Sequence, residues 1–128
     1  MPKSALVAAA PFAYTVFCRI FAPSTSSGFQ NSHAVQAKRL YDKNHAEVIH
    51  MTLQPGQSLK KHITPVDFFY VLEGIGIVEI NDERQEVEED VLTESPKNSP
   101  HLLSNNGEGI FRFLVVKVPK LRDPTRFP

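Results

Sequence analysis

The chain has 128 residues, of which 41% are hydrophobic and 22% are charged, and its formal net charge is zero. This length and composition suit one soluble globular domain, and the balanced charge gives no electrostatic footprint for nucleic acid. Cys18 is the only cysteine, which excludes an intramolecular disulfide and a cysteine-based zinc site.

Residues 1–31 are interpreted as an N-terminal extension. Residues 5–18, ALVAAAPFAYTVFC, are apolar, but the run is too short to span a membrane and Pro11 interrupts it. A secretory signal is the alternative, although only Lys3 supplies a basic start and no clean cleavage site follows. Residues 22–32 form a Ser-, Pro- and Gly-rich linker. We therefore predict a cytoplasmic protein without a membrane segment, whose extension packs loosely or exchanges onto a partner.

The central domain is predicted at residues 32–118, followed by a C-terminal tail at 119–128. Its pattern has the period of strands and shows no sustained helical period. Turns rich in Pro, Gly and Asn separate the predicted strands, with hairpins expected at 81–83 (NDE) and at Asn106-Gly107. The predicted strands are 45–53, 58–63, 67–73, 76–80, 84–89, 91–95, 101–105 and 110–118. This spacing predicts an all-β fold of the jelly-roll type, a double-stranded β-helix.

The run at 67–73, DFFYVLE, carries bulky apolar residues on both of its faces. Because strand side chains alternate, Asp67, Phe69 and Val71 share one face, and the aromatic residues between them share the other. Both faces must therefore be covered, one by the barrel interior and the other by the opposing sheet or a partner subunit.

Two histidines and a carboxylate are expected near one end of the barrel. His62 and Asp67 precede the apolar run, and His101 begins a strand after the turn bracketed by Pro96 and Pro100. Two imidazoles with one carboxylate can bind a divalent transition metal such as iron, manganese, zinc or nickel, and they leave coordination positions open for a ligand.

Two segments resemble the paired motifs of the cupin superfamily. Residues 56–74, GQSLKKHITPVDFFYVLEG, resemble the first motif, and residues 96–105, PKNSPHLLSN, are similar to the second. The matching positions are Gly56, His62, Asp67 and Gly74 in the first segment, and Pro96, His101 and Asn105 in the second. The resemblance implies a small single-domain cupin, commonly a homodimer, whose metal is held by the motif histidines and acid.

Three positions depart from the motifs. Thr64 stands where the first motif has its second histidine, and Asp67 replaces the usual glutamate after a gap one residue shorter. Asn98 replaces the second-motif glycine, but asparagine tolerates positive φ, so the turn is expected to survive. The implied ligand set is therefore reduced to His62, Asp67 and His101.

Four further residues are assigned to ligand binding. Lys60 and Thr64 share the expected face of His62, Phe69 is expected in the pocket wall, and His50 is a candidate further donor. His33 and His45 are expected at the surface. Alternatively, the motif histidines form a hydrogen-bonded pair in a pocket without metal, and Asp67 caps a turn or pairs with Lys60 or Lys61.

The leading hypothesis is a protein that binds a divalent metal and a small polar organic ligand. The resemblance implies oxygenase or isomerase chemistry, while the residues themselves leave open whether the protein is an enzyme. One alternative is a metal-free sensor or small-molecule-binding module. Another is a structural oligomer subunit with a vestigial pocket. A homodimer is expected through the apolar outer face of a strand or through the extension.

Overall fold

The computed structural model describes residues 19–64, 67–120 and 126–128. The expectations for residues 5–18, including the secretory signal, lie outside these residues. Within the described ranges, the only helix is the 3₁₀ turn Pro23–Thr25, and none is long and apolar enough to cross a membrane.

Eight strands of the described chain form two antiparallel sheets. The larger sheet has the order β1-β2-β8-β3-β6 and the smaller one β5-β4-β7. The strands are β1 (Gln36–Lys43), β2 (Ala46–Leu53), β3 (Asp67–Glu73), β4 (Gly76–Ile80), β5 (Glu83–Val87), β6 (Leu92–Ser95), β7 (His101–Ser104) and β8 (Phe111–Lys117). The all-β prediction is therefore confirmed.

The core lies between the two sheets. The larger sheet contributes Phe69, Phe111 and Phe113 and the smaller sheet contributes Val78 and Leu103, all 3% exposed or less. Burying each of these side chains stabilises the fold by roughly 1.5–3 kcal/mol. The alternation predicted for β3 is observed, since Asp67, Phe69 and Val71 are buried and the residues between them are only partly so.

Gly76 makes room for this core. A Cβ placed on Gly76 would lie 2.3 Å from the Phe111 ring, so β4 can pass over that ring only with a glycine at this position.

One of the two predicted hairpins forms and the other does not. β4 and β5 pair around Asn81, which has a φ of 56°. The prediction of a hairpin at Asn106-Gly107 is wrong, because β7 pairs with β4 while β8 pairs with β2 and β3 in the other sheet. Asn105 stabilises this crossover, donating from Nδ2 to the carbonyls of Leu53 (2.9 Å) and Gly109 (2.8 Å).

Two further differences concern strand limits. β1 was not among the predicted strands, because it is a polar edge strand and a bulge between Arg39 and Tyr41 interrupts its alternation. The predicted strand at 58–63 forms only isolated bridges, from Ser58 to Ser104 and from His62 to His101.

Candidate metal centre

Backbone pairing brings the predicted metal ligands to one end of the barrel. Asp67 opens β3 opposite Ser95 of β6, and His101 opens β7. His62 pairs with His101 through two main-chain hydrogen bonds of 3.1 and 2.9 Å. The two imidazole centroids are therefore 4.3 Å apart.

The three side chains form a compact, buried group. One ligand atom from each of His62, Asp67 and His101 lies within 4.8 Å of the others, an arrangement that could hold a metal ion. His62 is 6% exposed, Asp67 1% and His101 0%. The convergence expected from the sequence is therefore present in the structure.

Both histidines are oriented through their Nδ1 atoms. His62 Nδ1 donates to the Lys60 carbonyl at 2.7 Å, and His101 Nδ1 donates to the Ser99 carbonyl at 3.0 Å. Because a carbonyl only accepts, Nδ1 carries the hydrogen in each ring, and Nε2 offers its lone pair. Metal-binding histidines commonly have this outer hydrogen bond.

Two buried polar atoms at the centre of this group have no hydrogen-bond partner among the described residues. They are Asp67 Oδ1 and His101 Nε2. His101 Nε2 lies 3.3 Å from Asp67 Oδ2, but the contact is too poorly aligned for a hydrogen bond. Each such buried atom costs about 1–3 kcal/mol. A cation bound here would give both atoms a partner, so the donor set fits a metal.

Thr64, at the position of the motif's second histidine, is a hydrogen-bond partner of Asp67. Its Oγ1 donates to Asp67 Oδ2 at 2.8 Å, and the side chain is 1% exposed. Thr64 therefore orients the carboxylate and leaves Oδ1 as the oxygen without a partner.

The environment sets charge states that suit metal binding. Burial, with a contribution from neighbouring His101, lowers the pKa of His62 to about 4. Burial alone would raise the pKa of Asp67, but the His101 imidazole, the charge of Lys117 and the Thr64 hydroxyl together hold that pKa below its ordinary value. At neutral pH, His62 is therefore a neutral imidazole and Asp67 a carboxylate, which are the forms that ligate metals.

The residues assigned to ligand binding do not all lie beside the buried group. Phe69 packs its ring 5.3 Å from that of His101. Lys60 is exposed and touches the site through its main chain. Lys61 pairs with Glu79 at 3.2 Å rather than with Asp67.

His50 is not brought to the group. It lies on β2 between Ile49 and Met51, which face the core, so its own side chain faces the outer side of the larger sheet. There its Nε2 contacts the guanidinium of Arg112 at 3.1 and 3.2 Å, and Arg112 also binds Glu73.

The sequence interpretation missed two residues of the site. Ser95 Oγ lies 2.8 Å from His101 Nδ1. His33, expected at the surface, is half-buried with its ring 4.6 Å from that of His62. His33 lies outside both motif segments, so neither spacing nor strand alternation could have pointed to it. The glycine-like turn predicted at Asn98 is present, with a φ of 62°.

A separate cleft of about 690 Å³ opens between the edges of β5 and β6. It neighbours the site, because Ile80 in its lining is the cross-strand partner of His101. The triad itself does not line the cleft. Its lining combines buried Val78 and Val87 with the acidic side chains of Asp82, Glu83, Glu86 and Glu94.

Comparison with known proteins identifies the family. The model of the cupin domain matches residues 49–117, more than half of the chain, so the protein belongs to the cupin-domain family. The matched segment contains all three residues of the buried group. A search of curated proteins finds no match.

Solved structures share the fold. A predicted oxalate decarboxylase from Thermotoga maritima is 21% identical, with a TM-score of 0.73 over 79% of this chain and 99% of that one. The polyketide cyclase RemF from Streptomyces resistomycificus is 20% identical, with a TM-score of 0.75 over 87% and 85%.

An uncharacterized protein from Klebsiella pneumoniae with a double-stranded β-helix domain is 18% identical, with a TM-score of 0.73 over 88% and 100%. At these identities the likeness concerns the fold, and it confirms the predicted double-stranded β-helix.

Proposed function

We propose that this cupin-domain protein binds a divalent transition metal through His62, Asp67 and His101, and that it holds a small polar organic ligand against that metal. The observation that carries the proposal is a pair of buried atoms, Asp67 Oδ1 and His101 Nε2, to which no described residue is hydrogen-bonded. Iron, manganese, zinc and nickel all suit this donor set.

The residues around the three proposed ligands have distinct roles in this proposal. The Lys60 and Ser99 carbonyls hold the two imidazoles with Nε2 free, and Thr64 turns the carboxylate. Phe69 excludes water on the core side of His101. A bound metal would supply a Lewis acid with open positions for a ligand.

The reaction class is proposed only in outline. Two histidines with one carboxylate are typical of sites that activate dioxygen or polarise a bound oxygen, which supports oxygenase or isomerase chemistry. Two of the structural neighbours are a predicted oxalate decarboxylase and a polyketide cyclase. Both are compatible with a small organic ligand here.

One observation favours a metal-free binding module instead. The Thr64 hydroxyl already satisfies Asp67 Oδ2, and the His101 ring lies beside the same carboxylate, so part of the group has partners without a metal. In that case the polar group would bind a small molecule directly.

Elemental analysis of protein purified without an affinity tag distinguishes these candidates. Near-stoichiometric metal is expected in the wild type and in the control variant His45→Ala, whose exposed ring contacts Tyr41. The His62→Ala plus His101→Ala variant should lose the metal. Unchanged metal content in that variant would rule out the site. A wild type that stays metal-free after incubation with all four metals would favour the binding module.

A further inference from the structure

His33 reaches the site on a turn that the fold holds firmly. The Asn31 side chain closes this turn: its Oδ1 accepts from the His33 main-chain N–H at 3.1 Å, and its Nδ2 donates to the Val35 carbonyl at 2.7 Å. Val35 is buried in the hydrophobic core. The position of His33 is therefore fixed by its own loop and not only by its contact with the site.

Three imidazole rings lie in a row at this end of the barrel. The His33 and His62 centroids are 4.6 Å apart, and those of His62 and His101 are 4.3 Å apart. The main chain of Lys60 orients the first two rings together. Its N–H donates to His33 Nδ1 at 2.9 Å, and its carbonyl accepts from His62 Nδ1 at 2.7 Å.

The hydrogen bond from the Lys60 main chain also determines which ring nitrogen of His33 is a donor. Because Nδ1 accepts, the hydrogen of the neutral ring is on Nε2, which is therefore a donor. No described residue is hydrogen-bonded to this Nε2. His33 is also not a member of the group whose atoms lie within 4.8 Å of one another, so it is not a fourth metal ligand.

The charges around His33 favour an anionic ligand. The positive charges of Lys117 and Lys60 both act on the His33 ring, whose Nδ1 already accepts the Lys60 N–H. Neither lysine takes part in any ion pair found among the described residues, whereas the adjacent Lys61 pairs with Glu79. The cleft between β5 and β6 is acidic and would repel an anion, so the two sides of the site differ in charge.

We propose that His33 is a specificity-determining residue, whose Nε2–H donates a hydrogen bond to an oxygen of a small organic carboxylate bound at the metal. This inference rests on the proposed function, because it requires a metal at His62, Asp67 and His101. It adds the class of ligand and a residue that neither motif contains.

Oxalate titration of the cobalt-loaded protein, followed by visible absorption, tests the inference. His33→Phe removes both the Nδ1 acceptor and the Nε2–H donor, whereas His33→Gln supplies an amide oxygen acceptor and an amide N–H donor. We expect the oxalate Kd to rise about tenfold or more in His33→Phe, as for loss of a hydrogen bond to a charged group, and clearly less in His33→Gln. The neutral analogue oxamide should bind more weakly than oxalate to the wild type, and its Kd should differ less than that of oxalate between the three proteins, because a hydrogen bond to a neutral oxygen is weaker.

A comparison of substitutions at Lys60 and Lys61 provides a second, independent readout. Lys60→Gln should weaken oxalate binding a few-fold and reduce its salt dependence, because an unpaired charge near the site is lost. The matched control Lys61→Gln, next in the chain and already paired, should change neither value. Equal effects of the two substitutions would contradict an anion-selective side.

The outcomes separate this inference from the proposed function. If cobalt does not bind, the proposed function fails and the inference fails with it. If cobalt binds but wild type and His33→Phe have the same oxalate Kd, only the inference fails. Equal losses in both His33 variants would assign a structural role to the ring. A changed cobalt spectrum before oxalate is added would show that His33 acts on the metal rather than on the ligand.

Discussion

Two buried histidines lie on opposite sides of the larger sheet, His50 on its own strand β2 and His101 on β7 of the facing sheet, and they differ in their hydrogen-bond partners. On the outer side, His50 contacts the Arg112 guanidinium, which also binds Glu73. On the inner side, neither His101 Nε2 nor the neighbouring Asp67 Oδ1 has a hydrogen-bond partner in the part of the chain that the structure describes. Both histidines are 5% exposed or less. Burial therefore does not distinguish a structural histidine from a candidate ligand, whereas its partners do.

The largest expected effect separates the two acidic residues of these groups. Asp67→Asn should reduce metal affinity by at least about 100-fold, since even outer hydrogen-bond partners of metal ligands are worth 10–100-fold. Glu73→Gln should leave metal affinity unchanged and cost less than about 1 kcal/mol of stability, because its pair with Arg112 is partly exposed. Isothermal titration with zinc and chemical denaturation measure the two quantities. Similar metal affinities in the two variants would remove the distinction between the groups.

The next effect is a loss of folding stability at acidic pH in the metal-free protein. Burial lowers the pKa of His62 to about 4, against about 6.5 for an exposed histidine, so the unfolded chain binds more protons between these two pH values. Stability should be constant above about pH 6.5 and fall as the pH drops to about 4, by up to about 3 kcal/mol from this residue.

Denaturant melts of metal-free protein from pH 8 to pH 4 check this slope. His62→Gln should flatten it in part, because burial lowers the pKa of His33 to about 4 as well. The control His45→Gln, at an exposed ring, should retain the full decline. A wild-type stability that does not change over this range would show that the inner rings are not buried as neutral imidazoles.

The smallest effect compares two half-exposed phenylalanines. The C-terminal tail bridges to the segment that carries His62 through Arg126 and Ile63, and the Phe127 ring lies 6.4 Å from the His62 ring. Phe127→Ala should speed metal release to a chelator a few-fold, because water gains access to His62. Phe21→Ala, which removes a ring of equal exposure that packs on Tyr41, should have no effect. Equal release rates in the two variants would exclude shielding by the tail.

Much of the site could be predicted because it is encoded locally. Asp67 and His101 each open a strand, His62 lies on a segment that bridges to His101, and this backbone pairing brings the three side chains together. His50 could not be assigned in the same way. Strand alternation divides β2 into two faces, but a strand with buried residues on both faces does not indicate which face meets the site.

The sequence by itself determined the all-β architecture, the alternation of the strands, the turn at Asn98 and the three residues that converge, because these depend on local turn chemistry and a period of two. Only the tertiary structure decided that β7 and β8 belong to different sheets, that His50 faces outward and that His33 lies against His62. Those features depend on contacts between residues far apart in the chain, such as Asn105 with Leu53 and His33 with Lys60, which no local pattern specifies.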